Sequence, residues 1–90
     1  MSIVFVIEDE MHAEQCGEYS SYEMALTELQ RRAELPWDQS PNQCPCTSWQ
    51  SCKRNYEIVE YDVSERPWRR LKTNPVLQVS ADGTVWAVGT

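Results

Sequence analysis

The stretch VFVIEDE, Val4 to Glu10, decides the fold. Its apolar half, with Ile3 before it, is mostly β-branched, too short for a helix, and continuous rather than alternating. That pattern predicts a central strand covered on both faces. Its other half, Glu8, Asp9 and Glu10, sets three acids at the strand end and raises the question of a chemical site.

Downstream, MHAEQCGEYS (11–20) holds one glycine and reads as a loop with a short helical turn. In YSSYEMALTELQRRAELP (19–36) the pattern turns helical. Ser20 is placed to cap, Glu23 to close a capping box and Tyr19 to pack on Met24. Tyr22, Leu26, Leu29 and Ala33 form one stripe with Ala25 beside it, and Pro36 ends the run, so an amphipathic helix is expected over about 21–35. Residues 36–54 carry three prolines, three cysteines and two tryptophans without periodicity. A loop of that length inside a small domain needs a clamp or a function.

Beyond the loop, NYEIVEYDV (55–63) predicts a strand with Val59, Tyr61 and Val63 on one face and Tyr56 and Ile58 on the other. The tail PVLQVSADGTVWAVGT (75–90) predicts a hairpin turning at Ala81, Asp82 and Gly83. The expected architecture is a single α+β domain of 90 residues, a two-layer sandwich of one helix on a mainly antiparallel sheet of about four strands, in the order β-α-loop-β-β-β. One helix covers one face of such a sheet, so the long loop or a second copy of the chain is expected on the other, and a homodimer is the expected assembly.

Charge is unevenly spread. Residues 1–30 hold seven acids and no lysine or arginine, whereas residues 31–90 hold seven acids against eight bases. A polarised acidic surface argues against nucleic acid and for a basic protein partner. No basic leader followed by an apolar run and no membrane span is visible, which points to the cytoplasm. The basic segment ERPWRRLK (65–72) sets Arg66, Arg69, Arg70 and Lys72 around Trp68, and these bases are expected to pair with the N-terminal acids.

Three sets of residues could carry chemistry. IVFVIEDE resembles the first strand of the receiver domain of two-component response regulators, and EIVEYDVSERP extends the likeness. The resemblance implies a divalent ion held by Asp9 and Glu10 and a phosphoacceptor at Asp62. A receiver, however, needs five parallel strands alternating with five helices, and this chain has length and pattern for one helix. The second set is Cys44, Cys46 and Cys52 in NQCPCTSWQSC, with Cys16 and the lone His12 from the N-terminal third. Thiolates and imidazole suit zinc, although one residue between Cys44 and Cys46 departs from the usual C-x2-C or C-x4-C spacing. The third is the aromatic set Trp37, Trp49 and Trp68, apolar anchors of the kind that dominate protein contacts.

The residues alone thus favour a non-catalytic interaction, regulatory or inhibitor-like module, with Asp9, Glu10, Trp37, Trp49 and Trp68 at its contact surface and no bound cofactor. The alternative is a zinc-binding or thiol-redox protein using Cys44, Cys46, Cys52, Cys16 and His12. A second alternative is a carboxylate-metal enzyme at Glu8 to Glu10.

Overall fold

The computed structural model describes residues 2–47 and 50–87. The expected α+β class holds. One helix, α1 (Tyr22–Ala33), packs on an antiparallel sheet of five strands: β1 (Ile3–Asp9), β2 (Glu14–Tyr19), β3 (Arg54–Asp62), β4 (Arg69–Ser80) and β5 (Gly83–Trp86). In space they run β2-β1-β3-β4-β5. β1 therefore lies inside the sheet, and its neighbouring residues Val6 and Ile7, which point to opposite faces, are both fully buried.

β2 is the strand that the sequence reading takes for a loop. The register runs Val6↔Glu18 and then Glu8↔Gln15, so Cys16 and Gly17 together oppose Ile7 in a bulge. Gly17 has φ 142°, a conformation L side chains rarely adopt, and an added Cβ would lie 3.1 Å from the Tyr19 hydroxyl. The irregularity hides the strand's alternation.

The helix cap also differs from expectation. Ser21, not Ser20, is the cap, its Oγ accepting from Met24 N at 3.2 Å. The Ser20 hydroxyl instead faces Met24 Sδ. Ala25, Leu29 and Arg32 form the buried seam of the helix, flanked by Tyr22, Leu26 and Ala33. They lie on Ile7, Tyr56, Ile58, Leu77 and Val79. β4 starts at Arg69 and so absorbs most of the basic segment into the sheet.

The second face is covered differently from the expectation. Val6, Val59 and Tyr61 form a small cluster there, closed by Val4, Val63 and Trp68, the last from the β3–β4 connection. The chain therefore covers this part of the face itself. The long loop packs elsewhere, against the helix C-terminus, where buried Asn42 donates to the carbonyls of Arg32 (2.8 Å), Leu35 (3.3 Å) and Pro36 (3.4 Å). Asn42 thus adds to the backbone bonds of this turn, Leu35 N to Arg32 O at 3.1 Å and Gln39 N to Pro36 O at 3.4 Å, and ties the loop to the helix end. Toward β5 the sheet is more open, with Val85 59% and Trp86 43% exposed. Val88 falls outside the described residues.

Two outcomes test this account. Ser21→Ala should cost about 1 kcal/mol in urea unfolding and Ser20→Ala almost nothing, because only Ser21 satisfies a helix N–H. Glu28 accepts from Arg31 Nε and Nη2 and from Arg32 Nε, and the Arg31 hydrogen bonds chiefly lower its pKa to about 2 from an ordinary 4.5. A depressed carboxylate stabilises the folded state above its unfolded pKa and loses that contribution as pH falls through the folded one. Stability should thus decline between pH 4.5 and about 2, and Glu28→Gln should flatten that part of the pH profile.

Candidate metal centre

At the end of β1 the three acids part. Glu8 points to the face opposite the helix, where it accepts from the Tyr61 hydroxyl, from Arg70 Nη2 at 3.0 Å and from Gln15 Nε2 at 3.2 Å. Glu10 is exposed and takes a bond from Asn55 Nδ2 at 3.3 Å. Asp9 is fully buried. Its Oδ1 accepts from Met11 N and Asn55 N, both at 3.1 Å, and its Oδ2 from Arg54 Nη1 at 3.0 Å and His12 Nδ1 at 2.5 Å. With each acid committed to different partners, they do not form one carboxylate site. Asp9 is also not a surface contact, contrary to the sequence reading, because folding gives it internal donors. Asp62 pairs with Ile3 at the far end of the β1–β3 ladder, whereas Asp9 pairs with Tyr56. The receiver-like constellation of Asp9, Glu10 and Asp62 is therefore never assembled.

His12 stands in the short turn between β1 and β2, where Ala13 takes a left-handed φ of 52°. A carboxylate oxygen only accepts, so the Asp9 bond places the ring proton on Nδ1 and leaves the Nε2 lone pair for another partner. Across from it lies the cysteine loop. A His12 ring nitrogen and the Sγ atoms of Cys44 and Cys52 lie within 4.8 Å of one another. The Cys46 thiol hydrogen-bonds the same imidazole, so three thiols surround one ring. Cys16 is not among them. Its Sγ points back to the Glu14 carbonyl at 3.7 Å and packs at the edge of the main core. None of the four cysteines is joined in a disulfide.

What brings the loop here is Arg54, the first residue of β3. Its side chain is only 6% exposed and makes ion pairs with Asp9 at 3.0 Å and with Glu14 at 2.8 Å. The same guanidinium donates to the carbonyls of Asn42 (3.3 Å) and Gln43 (2.8 Å), immediately before Cys44. Asn42 Oδ1 in turn accepts from the Tyr56 hydroxyl at 3.0 Å. Neither Arg54 nor Asn42 stood out in the sequence. The signal for Arg54 was indirect: a base next to a β-strand needs an acid once buried, and the N-terminal third is rich in acids.

The electrostatics suit a cation. Asp9 chiefly raises the pKa of His12, and the Cys46 bond adds to it. Burial pushes the Cys44 thiol up to about 11, and the neighbouring Cys52 and Cys46 push the same way. Thiols that resist ionising together, beside an imidazole whose positive form is favoured, are relieved when a metal ion takes the place of their protons. A carboxylate on the far ring nitrogen is the usual support of a metal-bound histidine. Tetrahedral zinc sets its ligand atoms about 3.5 to 3.8 Å apart, about an ångström inside the 4.8 Å that encloses the His12 nitrogen and the Cys44 and Cys52 sulfurs.

The other expected contact residues are scattered. Trp37 packs against the main core, Trp68 stacks at a tilt on Tyr61 with ring centroids 5.9 Å apart, and Trp49 lies outside the described residues. No helix among the described residues is long and apolar enough to cross a membrane. The fold and this cluster define a two-layer α+β protein with a His/Cys donor set. No protein-family model, no curated protein and no solved structure matches the chain.

Arg54→Met should destabilise the protein by about 3 to 5 kcal/mol in urea unfolding, because it strands buried Asp9 and frees the loop carbonyls. Arg70→Met, removing a half-exposed guanidinium from Glu8, should cost only about 1 kcal/mol.

Proposed function

We propose that this protein is a zinc-binding module in which His12, Cys44, Cys46 and Cys52 hold one Zn2+ and the metal fastens the long loop to the β1–β2 turn. The option that ranked second in the sequence becomes the preferred one. The observation that carries it is the approach of one His12 nitrogen and two thiol sulfurs to within 4.8 Å, from segments more than thirty residues apart in the chain. Soft thiolates with one imidazole favour zinc over hard cations such as Mg2+ or Ca2+. Four protein ligands would fill a tetrahedral shell, the arrangement of a structural site. Buried Cys44 and His12, with 14% of its side chain exposed, would hold the ion largely away from water. The role follows from the loop: residues 36–53 contain no helix or strand among the described residues, and a metal supplies the framework they lack.

Protein purified without chelator should carry one equivalent of zinc by elemental analysis. Cobalt(II) substitution should give thiolate charge-transfer absorption with tetrahedral d–d bands. Cys44→Ser and Cys52→Ser should weaken binding at least tenfold, Asp9→Asn about 10- to 100-fold through the histidine, and Cys16→Ser not at all. Because the raised Cys44 thiol must lose its proton to bind, uptake should release protons and affinity should fall as pH falls. Absence of stoichiometric metal, or equal loss in Cys16→Ser, would sink the reading.

A further inference from the structure

The three thiols around His12 differ in what they face. Cys44 is buried, whereas Cys46 and Cys52 are partly exposed. Cys52 lines a groove of about 440 Å³ between the end of the cysteine loop and the β4–β5 turn, with Gln50, Lys53, Gln78, Ser80 and Asp82 among its other walls. The lining is largely polar, and its charged residues, Lys53 and Asp82, are of opposite sign. A small, uncharged, polar molecule therefore meets neither an apolar barrier nor a net charge on its way to this sulfur.

A second sulfur lies close by. The Sγ atoms of Cys52 and Cys44 both belong to the set lying within 4.8 Å of one another. A disulfide sets its sulfurs about 2.05 Å apart, so roughly 3 Å of approach or less closes the pair. Seven residues, 45–51, separate the two cysteines, and none of the described ones lies in a helix or strand, so no regular hydrogen-bond ladder opposes that approach. Cys44 and Cys46 have only Pro45 between them, and a bond there would close a strained ring. Cys16 is kept at the core edge, its Sγ turned to Glu14.

We propose that Cys52 is a peroxide-sensitive thiol and Cys44 its resolving partner, so that oxidation joins them in a disulfide and releases the metal, a release that rests on the zinc reading above. The Cys52 thiolate takes an OH group from hydrogen peroxide as the O–O bond breaks, giving a sulfenic acid and hydroxide. The Cys44 thiolate attacks the oxidised sulfur, the S–S bond forms, the S–O bond breaks and a second hydroxide leaves. Two thiolates thus lose two electrons to one peroxide, and two protons from solvent turn the hydroxides into water. His12 and Cys46 remain, two ligands where a structural zinc site has four, so the ion departs and the loop loses its tie to the β1–β2 turn.

The test treats the zinc-loaded protein with hydrogen peroxide in the presence of a chromogenic chelator and maps the products by mass spectrometry. One equivalent of zinc should be released for each Cys44–Cys52 disulfide formed, and dithiothreitol with added Zn2+ should reverse both. A cyclic dione in excess during oxidation should capture the sulfenic acid at Cys52 about tenfold or more over Cys44 and Cys46. Cys16→Ser should leave the rate and yield of the disulfide unchanged. A dominant Cys46–Cys52 bond, capture chiefly at another cysteine, or a zinc loss that reductant does not reverse would overturn the proposal. Zinc bound at the outset and retained after peroxide overturns this inference alone. Protein that takes up no zinc before treatment overturns the proposed function, and the release with it.

Discussion

A carboxylate taken out of water must be given donors or lose its charge, and Asp9 is given four. Two come from the turn after β1, the Met11 amide and the His12 ring, and two from the start of β3, the Asn55 amide and the Arg54 guanidinium. Arg54 then reaches on to the carbonyls of Asn42 and Gln43, and Asn42 reaches the helix C-terminus. One buried acid thus ties the first strand, the turn, the third strand, the cysteine loop and the helix into a single network. Every buried side-chain nitrogen or oxygen among the described residues has a partner, so the network is complete as it stands. Half-satisfied, it would be worse than an apolar core.

The donor set proposed for zinc depends on that network. His12 is oriented by Asp9, and Cys44 follows directly on the residues that Arg54 holds. The two sides of the cluster are therefore positioned by the two partners of one ion pair. This explains how an irregular loop, with an unusual C-x-C spacing, converges on a turn more than thirty residues earlier. The spacing rules for metal sites describe ligands on a short local motif. Here the geometry is set by a long-range ion pair, so local spacing has little bearing on it.

Parts of the fold were legible because they rest on local pattern. The continuous apolar run of β1, the alternation of β3 and the helix stripe around Ala25 and Leu29 each express burial through periodicity. β2 was hidden because a bulge with Gly17 breaks the alternation, and the helix cap was displaced by one residue because adjacent serines offer the same chemistry. The Val6–Val59–Tyr61 part of the second face was misread for a different reason. Trp68, which covers that cluster, belongs to a segment that reads as a basic patch rather than as a lid.

The sequence by itself determined the α+β class, the single helix, the strand faces and the presence of a cysteine-rich loop too long to stand unaided, because each follows from the spacing and type of neighbouring residues. It also supplied the ligand types, three thiols near one another and a lone histidine. Only the tertiary structure decided which of them meet. It sent Cys16 to the core edge, brought His12 to Cys44, Cys46 and Cys52, and turned Asp9 from an apparent surface acid into the buried centre of the molecule. The physical reason is that a buried charge has to find its partner wherever folding delivers one, and for Asp9 that partner, Arg54, lies 45 residues away in sequence.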